Sequence, residues 1–114
     1  MPLIKLQTSV KIDDKESLAL EFSKICAQII RKPESYVQAV VEDDAVISMG
    51  GKITDSAFVE VKSIGGLNPS VNRELSSAIC RVLEEKAKIK PSAVYINFND
   101  VSGSNWGNNS STFG

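Results

Sequence analysis

The sequence contains no histidine. That absence removes Ser-His-Asp and Cys-His catalysis, together with every zinc site built on imidazole. Cysteine is scarce as well: Cys26 and Cys80 stand alone, each following an isoleucine, so there is no Cys-x-x-Cys redox pair. Free cysteine is among the most buried residue types, and reduced core positions are expected for both rather than a disulfide. Acid–base chemistry near neutral pH is left to a perturbed Asp, Glu, Lys, Cys or Tyr, or to an α-amino group, which ordinarily titrates near pH ~8.

Charge of one sign is also lacking. Thirteen Lys and Arg against fourteen Asp and Glu leave a net charge of −1, and the basic residues are scattered. Neither nucleic acid nor an anionic membrane is an expected partner. No apolar run approaches the roughly 20 residues that span a bilayer. Pro2 to Thr8 is too short for a secretory signal and is interrupted by Lys5. A soluble, cytoplasmic protein is the expectation. Apolar residues at 42% and charged residues at 24% are ordinary globular usage, which argues against disorder. A length of 114 residues fits one domain over 1–114.

What is present is a clear alternation of periods. Pro2 to Thr8 reads as a strand with Leu3, Ile4 and Leu6 as apolar contacts. Asp13 and Asp14 offer N-cap oxygens, with Glu16 placed for a capping box. Leu18, Phe22, Ile25, Cys26 and Ile29 then form one helical stripe, which Pro33 stops. A second strand is expected over Tyr36 to Glu42 and a turn at Gly50-Gly51. A third strand runs over Ala57 to Ser63, where Ala57, Val59 and Val61 alternate with Phe58, Glu60 and Lys62. Asn68-Pro69 is an N-cap followed by proline at the first helical position; Leu75, Ile79, Val82 and Leu83 mark this second helix, which Pro91 ends. Val94, Ile96 and Phe98 alternate with Tyr95, Asn97 and Asn99 in a last strand.

The halves repeat at an offset of 58 residues, as from Lys32-Pro33 to Lys90-Pro91 and from Glu16 to Glu74. Two strand–helix–strand units with right-handed crossovers give an α+β fold: a four-stranded sheet, pseudo-twofold, with both helices on one face. The other face would carry Lys5, Gln38, Glu60, Lys62, Tyr95 and Asn97. Oligomerisation is a common way for so small a chain to cover such a face and its edges. Gly103 to Gly114, rich in Asn, Ser and Gly, has the composition of a flexible end, yet it contains the large apolar residues Trp106 and Phe113.

Met1-Pro2, Lys32-Pro33, Ser63-Ile64-Gly65, Val94-Tyr95-Ile96-Asn97 and Ser111-Thr112-Phe113 occur in order along the chain. Taken together, they resemble the macrophage migration inhibitory factor family over essentially the whole length. The resemblance implies a β-α-β-β-α-β subunit in a homotrimer, with sites at subunit interfaces. It implies keto–enol tautomerisation of phenylpyruvate-like α-keto acids or their enols, with no metal or organic cofactor. The matching site residues are Pro2, Lys32, Ile64, Tyr95, Asn97 and Phe113, with Tyr36 near the rim; Tyr95 and Asn97 would come from a neighbouring subunit. Two departures stand out. Ser56-Ala57-Phe58-Val59 replaces the Cys-x-x-Cys of mammalian forms, so thiol oxidoreductase activity has no residues to run on. Trp106 and Asn108 stand where mammalian forms carry valine and tryptophan, which bears on substrate preference.

Each candidate has a plain role beside its chemical one. Proline is tolerated at the start of a strand, whereas catalysis requires removal of Met1 so that Pro2 becomes a free secondary amine. An apolar pocket and a nearby cation such as Lys32 would both lower that amine's pKa. Lys32 suits the C-terminal end of a helix dipole; it also suits a substrate carboxylate, shared with the backbone N–H of Ile64. Gly65-Gly66 reads first as a turn. Tyr95 and Asn97 are either a solvated sheet surface or a wall and hydrogen bond for the substrate's aromatic end. The alternative function is a non-catalytic, cytokine-like protein binding a receptor through its trimer surface, and no residue pattern specifies that receptor.

Overall fold

The computed structural model describes residues 1–114. Strand β1 (Pro2–Thr8) leads into helix α1 (Lys15–Ile30), then β2 (Gln38–Glu42). A small hairpin, β3 (Ser48–Met49) and β4 (Lys52–Ile53), precedes β5 (Ala57–Ser63), helix α2 (Pro69–Ala87) and β6 (Val94–Asp100). A second small hairpin, β7 (Gly107–Asn108) and β8 (Ser111–Thr112), closes the chain. The sheet order is β2-β1-β5-β6. Each half makes a parallel pair across its helix, and the central strands β1 and β5 run antiparallel from Pro2↔Ser63 to Thr8↔Ala57. This is the mixed sheet with pseudo-twofold symmetry that two crossover units require.

Strand alternation decides the layers. Ile4, Leu6 and Thr8 on β1, with Val59, Val61 and Ser63 on β5, are fully buried under the helices, while their neighbours turn to the other face. Phe22 and Cys26 from α1 meet Leu75, Ile79 and Leu83 from α2 in one core of 17 residues. Each large apolar side chain there contributes about 1.5–3 kcal/mol through burial. Cys26 is buried and reduced as expected; Cys80 is also free but only half-buried. No helix is long and apolar enough to cross a membrane.

Local chemistry corrects several boundaries. Asp14 alone caps α1, accepting from the Ser17 N–H at 3.0 Å, which leaves Glu16 at the second helical position, too early for a capping box. Asn68 caps α2 by accepting from Val71 N–H at 2.8 Å, with Pro69 opening the helix as expected. Both helices end on a left-handed residue, Arg31 and Lys88, so the caps are 57 residues apart (88 − 31) and the Lys-Pro repeat is offset by one more. Tyr36 lies in a 3₁₀ turn (Glu34–Tyr36) rather than in a strand, because its N–H is taken by Pro33 O at 3.0 Å. The terminal segment is folded back: Phe113 N–H reaches Gly103 O at 3.1 Å and Trp106 O at 3.2 Å.

Candidate active site

The Pro2 end of the central strand pair gathers most of the residues singled out above. Pro2 opens β1 opposite Ser63, with its side chain buried. The chain's amine, on Met1, has a pKa below its ordinary value of 8.0, first because of burial and next because of the Lys32 ammonium. Cys26 acts the other way on that amine. Its thiol, however, is pushed up to about 12 by its own burial and is uncharged at neutral pH. Burial and Lys32 are therefore the influences that count near pH 7.

Lys32 lies two residues past the end of α1, its backbone N–H donating to Ala27 O at 3.1 Å. The side chain runs back over the Gly65-Gly66 turn. A Cβ at Gly65 would sit 3.9 Å from Lys32 Nζ, and one at Gly66 would sit 3.3 Å from Lys32 Cε. The ion pairs of the protein are Lys5–Glu42 and Lys15–Asp43, so Lys32 has no carboxylate partner. Next to it, the Ile64 N–H donates to Met1 O at 3.4 Å, a long bond. The turn is braced from both sides: Ser63 Oγ donates to Gly65 O at 2.6 Å, and Gly65 N–H donates to Asp100 Oδ1 at 3.0 Å.

An open pocket of about 420 Å³ adjoins Met1 and Pro2, with Tyr36, Trp106, Asn108 and Phe113 on its wall. Tyr36 and Phe113 are exposed and Trp106 is half-buried. The aromatic wall and the cation–amide pair thus flank the same terminus. The segment leading into β2, from Ser35 to Gln38, also lines the pocket; sequence reading placed Tyr36 near the rim, assigned Gln38 to the outer face and missed Ser35 and Val37. The available signal was topological. A parallel neighbour of β1 that begins just after Lys32-Pro33 must set its first residues beside Pro2. Ser63 belonged to a motif of the resemblance, but Asp100, which holds the turn with it, carried no signal in sequence.

Tyr95 and Asn97 are not brought to this pocket. They project from β6 on the sheet's outer face, Tyr95 level with Gln7 and Asn97 level with Lys5. Strand rise and spacing put Asn97 about 14 Å and Tyr95 about 19 Å from Pro2 within one subunit. Tyr95 is 67% exposed, and Asn97 Oδ1 accepts only from Asn99 at 2.8 Å.

The profile of the macrophage migration inhibitory factor family matches residues 1–114. A homologue of that factor from Trichinella spiralis is 36% identical over 114 residues, covering 99% of this chain and all of the relative. A macrophage migration inhibitory factor-like protein from Entamoeba histolytica superposes with a TM-score of 0.93 at 39% identity, over 98% of both chains. A homologue from Prochlorococcus marinus superposes at 0.95 with 38% identity, over 98% of this chain and 99% of the other. By sequence over its whole length and by fold, the chain belongs to the macrophage migration inhibitory factor family of the tautomerase superfamily.

Proposed function

We propose that the protein is a keto–enol tautomerase of phenylpyruvate-like α-keto acids, with the Pro2 amine as its base once Met1 is removed. The observation that carries this reading is the meeting of three groups at the first residue of the chain, beside the aromatic-walled pocket. These are a terminal amine held below its ordinary pKa, the unpaired Lys32 ammonium, and the Ile64 N–H bonded only to Met1. Removing Met1 does two things at once. It converts the Pro2 nitrogen from an amide into a basic amine, and it deletes the acceptor of the Ile64 N–H. Pro2 is buried, so the same two influences, burial and Lys32, act on its amine.

In this reading Lys32 and the Ile64 N–H hold the substrate carboxylate by charge-assisted hydrogen bonds. Tyr36, Trp106 and Phe113 receive the apolar end. The Pro2 amine takes a proton from the carbon beside the ketone, and the electron pair of that C–H bond moves onto the carbonyl oxygen. The proton then returns to that oxygen, giving the enol; the reverse sequence regenerates the ketone. No redox partner or cofactor enters the balance. A base titrating near the working pH contributes about 10²- to 10⁴-fold.

The placement of Tyr95 and Asn97 supports a homotrimer in which a neighbouring subunit supplies them. One chain cannot bring them to its own Pro2, and β6 is an edge strand with an open side. A ring or hydroxyl at the substrate's far end would meet them there.

The test is ultraviolet monitoring of phenylpyruvate tautomerisation, using protein whose mass shows loss of Met1. Conversion that falls about 100-fold or more in Pro2→Gly supports the amine mechanism. A wild-type rate no greater than buffer alone would falsify it and turn attention to the cytokine-like binding alternative. Light scattering tests the trimer on the same sample, where a monomer at assay concentration removes the shared-site reading.

A further inference from the structure

We infer that Gly66 is a positioning residue: its missing side chain provides the track along which Lys32 reaches the carboxylate-binding turn. The inference rests on the reading that Lys32 binds substrate carboxylate. Both glycines of the turn have positive φ, +75° at Gly65 and +84° at Gly66, so any side chain meets similar backbone strain at either. Their surroundings differ. At Gly65 a Cβ meets nothing closer than Lys32 Nζ at 3.9 Å, an ordinary contact. At Gly66 it would fall 2.8 Å from Ile30 Cγ2, 3.2 Å from Ile30 O and 3.3 Å from Lys32 Cε.

The consequence follows from the rigidity of the frame. Ile30 is buried at the end of α1 and its carbonyl is part of the helix terminus, so neither can give way easily. The Lys32 stem is the mobile member of the three. A methyl group at position 66 therefore crowds the stem as well as Ile30, and the ammonium at its tip is pushed from its place beside Gly65. The turn itself stays anchored through Ser63 Oγ and the Asp100 carboxylate. The amine at Pro2 is unaffected, so substrate binding weakens while proton transfer does not. Gly66 touches no substrate; it acts through Lys32.

The experiment is a double-mutant cycle on phenylpyruvate turnover with Met1-free protein, comparing Gly66→Ala, Lys32→Ala and their combination. Gly66→Ala is expected to raise KM about 3- to 10-fold with kcat within about twofold, the pattern of lost uniform binding. In the Lys32→Ala background the Gly66→Ala effect should vanish, since nothing is left to displace. An undiminished effect in that background overturns the inference and makes Gly66 merely structural. If Lys32→Ala alone leaves KM unchanged, the carboxylate reading of Lys32 is what fails, and the inference falls with it. Should Gly66→Ala fold poorly, Ile30→Ala relieves the 2.8 Å collision. The KM rise on adding Gly66→Ala must then persist in that background, and its disappearance would assign the effect to Ile30 instead.

Discussion

At the Thr8–Ala57 end of the central strand pair, the polar groups are joined to one another. Thr8 is fully buried, its hydroxyl donating to Ser56 O at 2.8 Å and accepting from Val10 N–H at 3.1 Å, while its carbonyl accepts from Ala45 N–H at 3.0 Å. Asp43 accepts from Ile12 N–H at 2.9 Å and pairs with Lys15 at 3.4 Å. At the Pro2–Ser63 end, an amine is held below its ordinary pKa, Lys32 lacks a carboxylate, and the Ile64 N–H makes one bond of 3.4 Å. The pseudo-twofold relates these ends, yet only one lies beside the chain's first residues. The second helix also leads into a Lys-Pro pair, but β5 starts mid-chain, so Lys90-Pro91 has no amine to face. A satisfied end supports the fold; an unsatisfied end is available for a ligand.

That division can be broken by a substitution at the satisfied end. Thr8→Val keeps the shape and removes the hydroxyl. Ser56 O retains the Ser9 N–H at 3.2 Å, but Val10 N–H loses its acceptor. A loss of about 1–3 kcal/mol in urea unfolding is expected, with kcat/KM for phenylpyruvate unchanged in the folded protein. A matching loss of activity would show that the two ends are coupled.

A smaller effect is expected at Asp43. The Ile12 N–H, and after it Lys15, hold its carboxyl below the usual carboxylate value of 3.8, against an opposing contribution from burial. A depressed folded pKa means stability that is present above the unfolded value and lost as pH falls through the folded one. In Asp43→Asn, urea midpoints measured from pH 6 to pH 2 should therefore decline less steeply at the acid end than in the wild type. Parallel curves would count against the assignment. Activity above pH 5 should not follow this group at all.

The same contrast marks how far the sequence could be read. Strand Ala57–Ser63, the Asn68-Pro69 helix start and the two-layer fold were legible because alternation, helical stripes and proline punctuation are local signals. Pro2, Lys32, Ile64, Tyr36 and Phe113 were singled out through family resemblance, and the structure gathers them around one terminus. The pocket that Pro2, Tyr36 and Phe113 share was not readable from spacing, since it depends on β2 lying parallel to β1. Tyr36 was placed in a strand because hydropathy does not register a 3₁₀ turn. The tail was less legible still. Composition suggested a loose end, but Asn109 and Ser110 both adopt positive φ, +50° and +63°, in the two-residue turn joining β7 to β8. The bonds from Phe113 that bring Trp106 to the pocket cross several residues and leave no periodic trace.

The finest test concerns what sets the amine's pKa at the unsatisfied end. For the Met1 amine burial is the larger influence and Lys32 the second, and both disfavour the ammonium form. If the Pro2 amine is the proposed base and the same influences act on it, it works unprotonated, and the rising limb of log(kcat/KM) against pH should lie below the ordinary amine value near pH ~8. Lys32→Met keeps much of the stem's packing and removes its charge. The limb should then move upward without reaching the ordinary value, because burial remains. Loss of the carboxylate contact lowers the height of the profile at every pH, whereas loss of the neighbouring charge shifts its position, so one variant reports both roles separately. The substrate carboxylate is ionised throughout this range and adds no limb of its own. A profile that drops without moving would leave burial alone in control of the amine and Lys32 as a binding group only. A wild-type limb at or above pH ~8 would place the working amine in water, contrary to the buried position of Pro2.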